Sequence, residues 1–225
     1  ASDVYKRQDF EYMRWIAAAI EETRAWEKPR LTHLGGAGCS LPRYFAHVWP
    51  HSRNTVVEWD MDLAQLAREK FDIPRSPLVK IRVGDAREVT DGFVDASRDV
   101  IIRDVFESAT TPRSLTTLPF FQQCLHSLSP NGLYVANCGS HGDLKEAREE
   151  LAGMAEVFPH LAVIADPPML KGRRYGNIIL IGSRAEIRET PELTRRLLGG
   201  GVPAHFKGDS WARDMAASAT PREDA

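Results

Sequence analysis

Leu31-Thr-His-Leu-Gly-Gly-Ala-Gly-Cys-Ser-Leu-Pro-Arg43, LTHLGGAGCSLPR, reads as a short strand that runs into a glycine turn and out into a helix. Glycines let a backbone adopt positive φ and approach a ligand closely, so the turn is a candidate binding feature. Its neighbours decide the fold. Before it, Phe10, Met13, Ile16, Ala17 and Ile20 recur at helical spacing up to Trp26, and Pro29 ends the segment. After it come a helix over LPRYFAHVWP, a strand NTVVEWD, a helix MDLAQLAREKF and a strand LVKIRVGDA. A strand RDVIIRDVF, a helix LPFFQQCLHSL, a strand GLYVANCG and a helix DLKEAREELAGMAEVF follow, and then the strands HLAVIAD and GNIILIGS. Strands alternating with helices predict an α/β fold with a mostly parallel central sheet and helices on both faces.

Within 225 residues, 43% hydrophobic and 27% charged, there is room for one full core. A net charge of -2 without a basic block predicts no nucleic-acid partner, because phosphate neutralisation needs clustered cations. A small near-neutral or cationic ligand is expected instead. Cys39, Cys124 and Cys138 show no metal-ligand spacing, so no metal is expected, and their odd number suits a reducing, cytoplasmic setting. No apolar run approaches the ~20 residues that span a bilayer. The opening ASDVYKRQ has no apolar period and resembles translated adapter sequence, so residues 1–8 read as a non-native leader. Residues 9–198 read as the domain, and 199–225, from the Gly199-Gly200-Gly201 run onward, as an extension with a frayed tail.

Ligands of doubly wound sheets bind outside the carboxyl ends of the strands. The residues there are Gly35, Gly36 and Gly38 after the first strand, Glu58 after the second, Asp85 and Ala86 after the third, and Asp104 after the fourth. An acid after the second strand suits ribose hydroxyls and one after the third suits an adenine amino group. The turn departs from G-x-G-x-x-G by lacking the late glycine that packs helix on strand, which disfavours NAD. An adenosyl sulfonium over the turn, in a Rossmann-like class I methyltransferase fold, suits the order better.

Over roughly Phe10 to Ser183 the chain resembles the spermidine synthase family, the polyamine aminopropyltransferases, and within it the divergent bacterial members. The matching pieces are FEYM, LGGAG, VVEWD, VGDAR, DVIIRD, LSPNGLYVAN and RRYGNIILIGS. The resemblance implies decarboxylated S-adenosylmethionine as co-substrate, or S-adenosylmethionine itself, and a small-molecule amine such as putrescine as acceptor. It places Glu58 at the ribose, Asp85 at the adenine and Asp104 at the reacting centre as catalytic residue. Tyr12 and Glu107 fall in the amine site. It also implies a homodimer and a small β-domain before FEYM, so the chain reads as an N-terminally truncated fragment.

The chain departs from the family pattern in its amine half. Gly38 stands where an aspartate grips the aminopropyl ammonium, Met13 where a histidine or glutamine is usual, and Leu170 where a tyrosine lines the diamine site. D-S-x-D-P reads D-V-F-E-S after Asp104. A methyltransferase and a non-catalytic nucleoside-binding homologue are the alternative readings. Cys39 reads as small buried filling and His33 as a satisfied core histidine. Whether Arg103 points into the site or away from it is left open by the sequence; pointing inward, it would repel a cationic amine.

Overall fold

The computed structural model describes residues 10–36, 38–108 and 110–224; the leader expected over 1–8 and Ala37 of the glycine turn lie outside them. The strands are β1 (Arg30–Leu34), β2 (Arg53–Glu58), β3 (Val79–Val83), β4 (Arg98–Arg103), β5 (Leu128–Ser140), β6 (His160–Ala165), β7 (Gly176–Ser183) and β8 (His205–Lys207). They form one sheet in the order β3-β2-β1-β4-β5-β7-β6-β8. The pairs β2–β3, β1–β2, β1–β4 and β4–β5 are parallel, and β5–β7, β6–β7 and β6–β8 are antiparallel. Strands β1 to β6 therefore point one way and β7 and β8 the other, a mostly parallel sheet as expected.

Helices cover both faces, which is why the central strands read as continuous apolar runs. On one face α1 (Glu11–Thr23), α2 (Ser40–Val48) and α8 (Pro191–Leu198) pack Trp15, Ile16, Ile20, Phe45 and Leu193 against Val100, Ile102, Leu133 and Val135. On the other, α4 (Ala86–Asp91), α5 (Leu118–Ser127), α6 (Lys145–Val157) and α9 (Asp209–Ala216) enclose Ile101, Phe120, Phe121, Tyr134, Ala136 and Cys138. The period-two alternation along β4 and β5 thus sends neighbouring residues to opposite faces. The remaining helices are α3 (Met61–Lys70), next to the edge strand β3, and the short α7 (Pro167–Leu170).

From β1 the chain builds outward to β2 and β3, then returns to lay β4 on the opposite side of β1. The crevice where the order reverses lies above the carboxyl ends of β1 and β4, which is where this architecture places ligands. Asp104 N–H donates to the Leu34 carbonyl at 2.9 Å and Gly35 N–H to the Val57 carbonyl at 2.9 Å, so the three strand ends are tied together at that crevice.

The extension with a frayed tail expected over 199–225 is instead folded through Asp224. Strand β8 extends the sheet beyond β6, and α9 packs on α6 and β6. The Arg222 carbonyl accepts Leu118 N–H at 2.7 Å and its side chain pairs with Glu149, while Asp224 pairs with Arg87 at 2.7 Å and accepts from the Thr117 hydroxyl at 2.7 Å. Small residues and charges suggested disorder because their partners lie more than 70 positions away in sequence.

Candidate active site

The glycine turn has two distinct constraints. Gly35 has φ +82°, and a Cβ there would overlap the carbonyl oxygen of Asp104, so the turn is pressed against the end of β4. Gly36 has φ +93° but open space around its missing Cβ, as does Gly38. The turn closes with Cys39 N–H donating to the Gly36 carbonyl at 2.8 Å, and Cys39, in the left-handed region at φ 51°, precedes α2. Cys39 is fully buried, and burial pushes its thiol up to about 11, which fits the filling role read from sequence and not a nucleophile.

At the end of β2, Glu58 is buried and accepts Asp60 N–H at 3.1 Å through one oxygen. At the end of β3, Asp85 caps α4: its Oδ1 accepts Arg87 N–H at 2.8 Å and Glu88 N–H at 3.0 Å. The cap fixes the side chain at the mouth of the cleft while Ala86 begins the helix behind it. These carboxylates and Ala86, with Gly35, Gly36, Asp104 and Glu107, line one cleft of ≈ 560 Å³, within the ~300–1,000 Å³ usual for small-molecule sites. Trp59, Phe106, Ser114 and Leu115 are also among its walls.

Asp104 is held from two sides. Tyr12 O–H, arriving on α1, donates to Oδ2 at 3.1 Å, and Asn137 Nδ2, from the end of β5, donates to Oδ1 at 2.9 Å. Burial pushes the Asp104 carboxyl above the usual carboxylate range, while Asn137, Tyr12 and Arg103 draw it back down. Burial, with the adjacent carboxylate, also raises the Tyr12 phenol, which therefore stays a donor. Asp104 and the glycines Gly35 and Gly36 additionally line a second, ≈ 50 Å³ cavity with Gly38, Met13, His33, Cys39 and Pro42. His33 there is buried, its Nε2 bonded to Asn54 Oδ1 at 3.0 Å, and burial lowers its pKa to about 4, so it is neutral.

The sequence-derived residues thus converge on two adjoining spaces that share Asp104. Glu107 is exposed on the cleft wall, its backbone paired with Thr110. Leu170 packs against the core, while Arg174, exposed beside it, pairs with the α7 cap Asp166 at 2.6 Å. Asn137 was missed by sequence reasoning. Its signal was a polar residue inside the buried run of β5, one step beyond the Arg103–Ala136 register pair and so beside Asp104. Arg103 points away: it is fully buried on the α6 face, with Nη2 2.6 Å from Glu150 Oε2. Among the described residues no group of three or more His, Cys, Asp or Glu side chains is arranged to hold a metal ion, and no helix is long and apolar enough to cross a membrane.

No family model matches the chain. It is 30% identical over 155 residues to the polyamine aminopropyltransferase of Vibrio vulnificus, covering 68% of this chain and 50% of that protein. The chain accordingly spans about half the length of the curated relatives it matches. Among solved structures, human methyltransferase-like protein 13 in complex with SAH superposes with a TM-score of 0.68 at 24% identity, covering 96% of each chain, a likeness of fold alone. A probable spermidine synthase from Corynebacterium glutamicum superposes with a TM-score of 0.91, is 60% identical, and covers 96% of this chain and 81% of that one. With that identity carried over nearly its whole length, and a mostly parallel sheet ending in the glycine, Glu58, Asp85 and Asp104 positions of the motif, the chain belongs to the spermidine synthase family.

Proposed function

We propose that this chain transfers an aminopropyl group from decarboxylated S-adenosylmethionine to a small amine. Glu58 takes the ribose hydroxyls, Asp85 and the start of α4 at Ala86 take the adenine, and Gly35, Gly36 and Gly38 lie under the sulfonium. The neutral amine nitrogen attacks the aminopropyl carbon in line with the C–S bond. As the N–C bond forms, the C–S pair returns to sulfur, methylthioadenosine leaves, and the nitrogen gives a proton to Asp104. Tyr12 and Asn137 hold that carboxylate in place, and Glu107 faces the distal ammonium of a diamine. A proton acceptor with two fixed donors loses little orientation in the transition state.

The observation that carries this reading is the position of Asp104, which lines both the adenosyl-sized cleft and the smaller cavity while each of its oxygens is bonded. The names of the curated relatives, polyamine aminopropyltransferases, support it and lend nothing to the methyltransferase alternative. The test is methylthioadenosine release, followed by chromatography, from decarboxylated S-adenosylmethionine and a panel of primary amines. Asp104→Asn is expected to lose about 10²–10⁴-fold in turnover. No release with any amine, or wild-type release by Asp104→Asn, overturns the reading.

A further inference from the structure

Arg103 immediately precedes Asp104, yet the two side chains leave β4 on opposite faces. Arg103 shares the face of Ile101 with α6, whereas Ile102 belongs to the α1 face from which Tyr12 reaches Asp104. Arg103 and Glu150 are 0% and 1% exposed and 2.6 Å apart. Removing both charges from water is costly, and apolar pairs of similar volume at such positions are commonly neutral or stabilising, so stability does not account for the pair. Nor is it fully satisfied: Arg103 Nε and Nη1 and the nearby Tyr134 hydroxyl find no hydrogen-bond partner among the described residues. Its second link runs toward the site. Arg103 Nη2 also lies 3.4 Å from the Asn137 carbonyl oxygen, and Asn137 is the residue whose side chain donates to Asp104 Oδ1.

We propose that the Arg103–Glu150 pair positions Asp104: from behind the sheet the guanidinium steadies the end of β5 at Asn137 and, carried on the residue next to Asp104, favours the ionised carboxylate. This rests on the reading of Asp104 as the proton acceptor, since a protonated carboxyl cannot take a proton. The other titratable groups around Asp104 are Tyr12 on α1, the neutral His33 on β1, Glu58 and Asp85 across the cleft and Glu107 on the following loop. None of them is cationic near neutral pH, and burial works against ionisation. Arg103 is the opposing charge, and Glu150 on α6, paired with it on the far face of the sheet, offsets part of its field.

The test is a titration of the Asp104 carboxyl by carbon NMR in protein labelled at aspartate, assigned with Asp104→Asn, a readout independent of turnover. Two charge-free pairs are compared, Arg103→Met/Glu150→Leu and Arg103→Gln/Glu150→Gln, alongside Arg103→Lys. The second pair retains a hydrogen bond between the two positions if the first does not fold. Each charge-free pair is expected to raise the Asp104 midpoint on the order of half a pH unit, about threefold in proton affinity, while Arg103→Lys leaves it near the wild-type value. The acidic limb of the turnover profile should move with it. An unmoved midpoint in the charge-free pairs, or an equal rise in Arg103→Lys, overturns the proposal. A midpoint that moves in a protein releasing no methylthioadenosine would uphold the electrostatic link and overturn the assigned reaction.

Discussion

Replacing Asp104 by asparagine should stabilise the fold while removing the proposed proton acceptor. Asparagine is nearly isosteric, and both contacts survive: its oxygen can accept from Asn137 Nδ2, and its amide can donate to a reoriented Tyr12 hydroxyl. What is lost is the charge, and burial has already raised the pKa of this carboxyl above its unfolded value. A carboxyl raised on folding contributes its full stability below the unfolded pKa of about 3.9 and loses it as pH climbs through the folded pKa. Wild type is therefore penalised at pH 8 and the neutral variant is not. The expected gain is on the order of 1 kcal/mol at pH 8, the usual size of a single stabilising change. For a chain of this length it corresponds to roughly 2–4 °C in Tm. Thermal and urea unfolding of both proteins at pH 8 and below the unfolded pKa of about 3.9 would measure it, and the gap should close at the lower pH. An asparagine variant less stable than wild type at pH 8 would refute the reasoning, because the bonds from Tyr12 and Asn137 would then outweigh the cost of burying the charge.

Gly35→Ala should cost more than Gly36→Ala although both have positive φ, because only the former meets the Asp104 backbone. The left-handed conformation costs about 1–2 kcal/mol at either position and the overlap adds about 1–3 kcal/mol at Gly35, a difference urea unfolding resolves. His33 is held neutral with its pKa at about 4, so its contribution is intact above pH 6.5 and falls away between 6.5 and 4. His33→Gln should flatten that part of a stability–pH curve, and an unchanged slope would assign acid sensitivity elsewhere. Deleting residues 220–225 removes the Arg222 links to Leu118 and Glu149 and the Asp224–Arg87 pair, and should lower stability by about 1–3 kcal/mol in calorimetry.

The sheet was legible because each central strand is an apolar run punctuated by glycine, aspartate or proline, and the candidate cleft because strand-end acids follow one another at β2, β3 and β4. Asp104, Glu58 and Asp85 could be named from order alone. Asn137 could not, since nothing local in YVANCG says which of its two faces meets β4; that depends on the parallel register between Arg103 and Ala136. Arg103 was ambiguous for the same reason, with direction decided by a counter-ion 47 positions away on α6. Strand β8 and helix α9 were missed because three residues of strand carry almost no period, and the folded end depends on partners scattered over α4, α5 and α6.

The close approach of Gly35 to the Asp104 carbonyl, too tight for a Cβ, ties the glycine turn to the end of β4 through main chain alone. Tyr12, by contrast, arrives on a separate helix and touches Asp104 through one hydroxyl. A change in α1 can therefore alter the Tyr12 side of Asp104 while the backbone approach of Gly35 to the end of β4 stays as it is. The two sides of one carboxylate thus differ in how readily they can be rebuilt: one is fixed by main chain, the other by a single side-chain hydroxyl.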